Sequence, residues 1–177
     1  HLNPLINMRI SVLKAVLSCV IVFSCETPET EWRSKAENPL FLHRSVKQIT
    51  DVIVHDIFSP PVASRIYTYA SIAAYEAAIA DKPEFISFGG QLNGLEPFPT
   101  PDPDKQYCFT LASVHAALIA GKTLIFSEDK IKRFYDGIMK EFRDTGIPDE
   151  VYNNSIDYGD VIVNHVMKWS AKDNYKQ

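Results

Sequence analysis

The chain has 177 residues, 46% of them hydrophobic and 23% charged, which suits one globular domain or part of one. Its 18 basic and 22 acidic residues are spread along the chain and leave a net charge of −4. No basic stripe of the kind a nucleic-acid interface needs is present, so nucleic acid is not expected as a partner.

Residues 1–7 precede Met8 and read as upstream translated sequence or an expression remnant. Met8 is followed by Arg9 and Lys14, an apolar run from Ala15 to Phe23, and then Ser24-Cys25. The run falls short of the roughly 20 apolar residues that span a bilayer. A basic start, a short apolar core and a small residue at the break describe a secretory signal over 8–24. Its Val-Phe-Ser-Cys ending resembles a bacterial lipoprotein signal, which would make Cys25 the lipid-bearing residue and place the protein in the cell envelope, periplasmic or outer-membrane associated. A second box, Val16 to Cys19, leaves almost no apolar core after Lys14. Cys108 is then the one thiol of the mature body, too few for an internal disulfide.

Residues 25–40 are polar and acidic with two prolines, and read as a flexible tether to a helical domain at 41–177. From Phe41, Leu42, Val46, Ile49, Ile53 and Ile57 recur at helical spacing. Ser59-Pro60-Pro61 should stop that helix, because proline lacks a donor and biases its predecessor away from helix. Pro61 can open the next helix, about 61–80. Ala70, Ala73, Ala74, Ala77 and Ala78 make that segment small and apolar all round, the signature of a central bundle helix.

Residues 81–104 hold five prolines and three glycines and predict a long irregular loop. Helical patterning resumes near Gln106, with Ala112, Ala116 and Ala120 as a second small-residue stripe. Ser127 is placed to cap a helix whose buried face is Ile131, Phe134, Ile138 and Phe142 and which Gly146 ends. Pro148 opens a last helix with Val151, Ile156, Ile162, Val163, Val166 and Trp169 on its apolar side. The fold class is all-α: a bundle of about five main helices with a long Pro/Gly-rich loop.

Chemistry-bearing residues are sparse. There is no His-Glu-x-x-His, no Cys-x-x-Cys, no Glu-x-x-His, no phosphate loop and no dinucleotide glycine fingerprint. His115 stands near Leu111 and Leu118 and reads as a hydrogen-bonded core histidine. Asp51 and His55, at i and i+4, are spaced for a surface pair. His165 beside Asn164 is a candidate to face a partner. Arg65 and Glu76, about three turns apart, share a helix face and read as anchors for other elements.

The segments "SPPVASRIYTYASIAAYEAA", "GGQLNGL" and "LASVHAALIAGKTLIFSED" together resemble the N-terminal helical region of bacterial vanadium-dependent haloperoxidase-like proteins, of the type 2 phosphatidic acid phosphatase superfamily. The resemblance covers about residues 41–175. It implies the fold of one half of a larger two-bundle enzyme, with vanadate as a possible cofactor of the complete parent. The family's chemistry sits in three motifs: a Lys with Arg-Pro seven residues on, a Pro-Ser-Gly-His, and a Ser-Arg with His six residues after the Arg. Cationic side chains there neutralise a phosphate or vanadate, one His bonds the central atom and another moves protons.

This chain has no Arg-Pro and no Pro-Ser-Gly-His, and Ser71 stands where a His should follow Ser64-Arg65. No catalytic, cofactor-binding or metal residue is therefore assigned in it. The resemblance places all three motifs downstream, so the expected partner is a C-terminal catalytic bundle, with the lipid tying the assembly to the membrane. The complete protein would either hydrolyse phosphate monoesters through a phosphohistidine or use vanadate and peroxide to oxidise halide; the resemblance does not choose. A non-enzymatic envelope lipoprotein that binds a partner or ligand through the 81–104 loop is the alternative. The scaffold reading also predicts a large exposed apolar patch on the helices at about 61–80, 106–126 and 150–171.

Overall fold

The main helices are separated by breaks at Pro60-Pro61, the Pro/Gly-rich segment 79–108, and Gly146. A computed structural model of the protein describes residues 28–175, with six helices and no strand among them. Residues 1–7, the expected signal at 8–24 and Cys25 lie outside the described residues. Contacts divide the chain into His1–Glu31 and Trp32–Gln177, and the second unit holds the bundle.

The expected tether is the first correction. Pro28–Ala36 forms a helix, α1, and Trp32 and Ala36 are buried in the core of the second unit. Two apolar residues at i, i+4 sit on one helix face, and a buried Trp side chain outweighs the polar composition around it.

Leu40–His55 is α2, stopping sooner than Ser59. Its buried face runs through Ser45, Ile49, Val52 and Ile53, with Phe41 stacked on Phe142 at 4.1 Å. Val46 and Ile57, expected on that face, are exposed. The face is turned toward Phe41 and Ser45 because Ser45 satisfies its hydroxyl on the Phe41 carbonyl (2.7 Å) and so tolerates burial. Lys47 pairs with Asp51 at 2.6 Å, so the predicted Asp51–His55 pair gives way to an i, i+4 pair on the other side of Asp51.

Ser59 is extended (φ −64°, ψ 153°) as a residue before proline must be, and α3 runs Pro60–Ala78 with both prolines in its first turn. The third main helix, α4, spans Phe109–Thr123. Alanines face each other between them, and Ser113 Oγ reaches the Ala74 carbonyl at 2.8 Å. The central helix is α4 rather than α3: Leu111 through Leu118 are buried without interruption, whereas α3 leaves Ser64, Thr68 and Ser71 in solvent. Those three hydroxyls mark a solvent stripe, which the apolar reading of α3 overlooked.

Glu128–Asp144 is α5, buried through Ile131, Ile138, Met139 and Phe142, with Lys132–Asp136 and Lys140–Asp144 pairs on its wet face. Ser127 precedes it without capping it, since its hydroxyl bonds Asp56 instead (2.5 Å). Gly146 turns the chain at φ +86°, a region glycine enters without strain. Asp149–Ser170 is α6.

The segment 79–108 is irregular and held at many points on α3 and α6. The Trp169 indole donates to the Asn93 carbonyl (3.1 Å), Tyr75 to the Ile86 carbonyl (2.9 Å), and Leu95 is buried. This covering removes the patch expected on the three named helices. Among the described residues, the exposed large hydrophobics are mainly Leu40, Val46, Val54 and Ile57 around α2, Phe85, Ile86 and Phe88 in the loop, and Phe126, with Val161 alone on α6. Alanine stripes let α3, α4 and α6 close on one another, and the loop's aromatics cover what remains. No helix of the described residues is long and apolar enough to cross a membrane.

Candidate functional site

Three polar constellations are built into this bundle. In the first, Arg65 of α3 meets residues just past α6. Its Nε donates to Asp173 Oδ2 at 2.6 Å, and the Tyr69 hydroxyl donates to the same oxygen at 2.9 Å. The guanidinium lies 5.1 Å from the Tyr69 ring centroid and 4.4 Å from that of Tyr175. Burial pushes the Asp173 carboxyl up, but hydrogen bonds from Arg65, the Tyr175 N–H and Tyr69 outweigh it and hold the group below the usual aspartate range. Burial, then the Asp173 carboxylate it donates to, raises the Tyr69 phenol. The arrangement clamps the end of α6 onto α3.

The second surrounds Glu76. Its carboxylate is buried and accepts from Ser87 Oγ (2.8 Å) and the Phe88 N–H (2.7 Å), anchoring the irregular segment. A cleft of about 410 Å³ opens beside it, lined by Lys82, Phe85, Phe98, Pro99 and Tyr158. His165 belongs to the same region: its Nε2 donates to the Glu96 carbonyl (3.0 Å) and its ring packs on Phe98 at 4.5 Å. It therefore ties α6 to the loop.

The third is His115, buried at the centre. Nε2 lies 2.8 Å from Asp160 Oδ1, and Nδ1 lies 2.8 Å from the Tyr135 hydroxyl. An ionised carboxylate only accepts, so Nε2 carries the proton and Nδ1 accepts from Tyr135. Burial raises the Tyr135 phenol well above its ordinary value, so it stays a donor. The triad joins α4, α5 and α6. His115 is the hydrogen-bonded core histidine the sequence suggests, but Tyr135 and Asp160 carried no local signal, being 20 and 45 residues away. Asp173, 108 residues from Arg65, was equally invisible.

None of the three fits a vanadate or phosphate. An oxyanion needs converging cations, yet Arg65 points its Nε at a carboxylate and stacks on tyrosines. His115 offers its N–H to another carboxylate, which repels an anion. Ser71 is exposed on α3. Among the described residues no group of three His, Cys, Asp or Glu could hold a metal ion. Cys25 lies outside the described residues.

No protein-family model matches the chain, and no curated protein matches it either. A solved structure does match: the crystal structure of what is described as the first bacterial vanadium-dependent iodoperoxidase, at 40% identity and a TM-score of 0.73. The match covers 78% of this chain and 33% of that one, so the chain spans about a third of that relative's length. In fold and in sequence, the matched part of this chain is haloperoxidase-like.

Proposed function

We propose that the chain is the helical scaffold of a vanadium haloperoxidase-like enzyme, tethered to the bacterial envelope by a lipid on Cys25, whose oxyanion-binding residues lie in polypeptide outside these 177 residues. One observation carries this reading: 40% identity to an iodoperoxidase, with a matching fold, over 78% of the chain but only 33% of the relative. The internal chemistry agrees, because Arg65, Glu76, His115 and His165 are all committed to holding elements together. Halide oxidation with vanadate and peroxide is the favoured activity of the whole. Phosphate-monoester hydrolysis through a phosphohistidine needs the same cationic cradle and is the other activity the superfamily resemblance allows. A self-contained, non-enzymatic helical module is the second reading, supported by the way α3, α4 and α6 cover one another.

The test compares the 177-residue chain with the product of the gene's complete reading frame. Vanadate binding is followed by vanadium NMR, and turnover by peroxide-dependent iodide oxidation and phosphatase assay. The scaffold reading expects neither in the 177-residue chain and both vanadate binding and turnover in the complete product. A complete product with none of the three motifs and no vanadate binding overturns it in favour of the module. Turnover by the 177-residue chain that Arg65→Ala abolishes would instead place the anion site inside it. Cys25→Ser should move the protein from the membrane fraction to the soluble one.

A further inference from the structure

A carboxylate taken out of water is ordinarily matched by a cation, because hydrogen bonds alone replace only part of the lost hydration. Glu76 of α3 departs from that pattern. It is 3% exposed and forms no ion pair among the described residues. The Ser87 hydroxyl and the Phe88 N–H donate to it, which fills two of the roughly four acceptor positions of a carboxylate. Neither donor carries a full charge. The chain thus leaves both negative charge and acceptor capacity at Glu76 unanswered.

Glu76 is also part of the lining of the cleft of about 410 Å³ between the end of α3, the irregular segment and α6. That size falls in the range of about 300–1,000 Å³ usual for small-molecule sites. Two carboxylates, Glu76 and Asp81, line it against one ammonium, Lys82. Lys82 Nζ is held by Asp81 Oδ1 (3.1 Å) and the Ala78 carbonyl (2.8 Å), so these two charges offset each other and Glu76 leaves the cleft net negative. Burial, with the Glu76 carboxylate nearby, pushes the Tyr158 phenol up to about 12, so it adds no charge of its own. Phe85, Phe98 and Tyr158 bring aromatic rings to the lining. Such rings attract a cation through their negative faces while excluding water from it. A metal ion is a poor match, because hard cations take six or more oxygens and no group of three His, Cys, Asp or Glu comes together among the described residues.

We propose that this cleft binds a compact organic cation, a protonated or quaternary amine, whose charge pairs with Glu76 and whose alkyl body lies against Phe85, Phe98 and Tyr158. The site is distinct from any oxyanion site, since the same carboxylate repels an anion. It is independent of the scaffold reading: every group it uses lies within this chain, whatever the complete protein turns over. Glu76 then has two tasks, holding the irregular segment through Ser87 and Phe88 and presenting its remaining lone pairs to the ligand.

The experiment titrates choline into the product of the complete reading frame and follows binding by calorimetry, beside its uncharged isostere 3,3-dimethylbutanol. Choline should saturate a single site at millimolar concentrations or below, and the isostere, alike in shape, should bind about tenfold more weakly. Glu76→Gln should remove that charge preference and bring the two affinities together within about twofold. A residue that only anchors the irregular segment would not change the preference for charge. Phe85 is half-exposed, so Phe85→Ala should leave the fold intact and weaken choline by about threefold. It keeps the test open where Glu76→Gln fails to fold. No saturable choline binding, equal binding of the isostere, a charge preference that survives Glu76→Gln, or an unchanged affinity in Phe85→Ala overturns the proposal.

Discussion

A glycine-to-alanine change should have opposite signs at two helical sites of this protein, and the contacts around each say why. At Gly159 in α6, an added Cβ would stand 2.7 Å from His115 Cδ2 and 3.0 Å from the Ala112 carbonyl oxygen. At Gly137 in α5 it would meet nothing within 4 Å. Alanine is intrinsically better than glycine in a helix by about 0.8–1 kcal/mol. Gly137→Ala should realise most of that gain.

Gly159→Ala should not. The Ala112 carbonyl belongs to α4 and moves only if the two helices part. The His115 ring is pinned on both nitrogens by Tyr135 and Asp160 and cannot step aside without stretching a hydrogen bond. Overpacking of a tight site costs about 1–3 kcal/mol, and a weakened buried hydrogen bond about 1 more. Less the helix-propensity gain, the net loss is about 1–3 kcal/mol. Urea unfolding followed by circular dichroism reads this directly. With a slope of about 2 kcal/mol/M, the midpoint should fall by about 0.5–1.5 M for Gly159→Ala and rise slightly for Gly137→Ala, both with unchanged slope. A Gly159→Ala protein as stable as the parent would show that α4 and α6 are not packed through His115.

Arg65→Ala should cost about 1–2 kcal/mol, between the exposed and buried ion-pair limits, since the Arg65 and Asp173 side chains are 16% and 25% exposed. The native Asp173 carboxyl lies below its ordinary 3.8, so its contribution is present above that pH and lost as pH falls through the native value. The variant should therefore lose stability less steeply on acidification, and parallel acid titrations of the two proteins would contradict the clamp. Burial pushes the Cys108 thiol up to about 11. In a background with Cys19 and Cys25 changed to Ser, Ellman's reagent at pH 8 should label it at least tenfold faster in denaturing urea than in buffer; equal rates would mean that α4 starts in solvent.

What the sequence made legible was local. Alanine stripes, the paired prolines at 60 and 61, and Gly146 are signals that act within a few residues, and the helices they bound are where expected. What it hid was relational. Alanine content alone cannot rank α3 against α4 as the central helix, because that depends on which stripe other helices cover. The face of α2 turned on a buried serine that counts as polar in any hydrophobic pattern. In α1, the single Trp32 determined the outcome, and a composition average across 25–40 diluted it.

The same distinction governs the site. Ser64-Arg65 matches two letters of an anion-binding motif, but a guanidinium attracts an oxyanion only while its charge is not already neutralised. Here Asp173 neutralises it from 108 residues away, and the Tyr69 and Tyr175 rings pack against it. Ser71 stands where the motif requires a His, so the sequence match stops at those two letters.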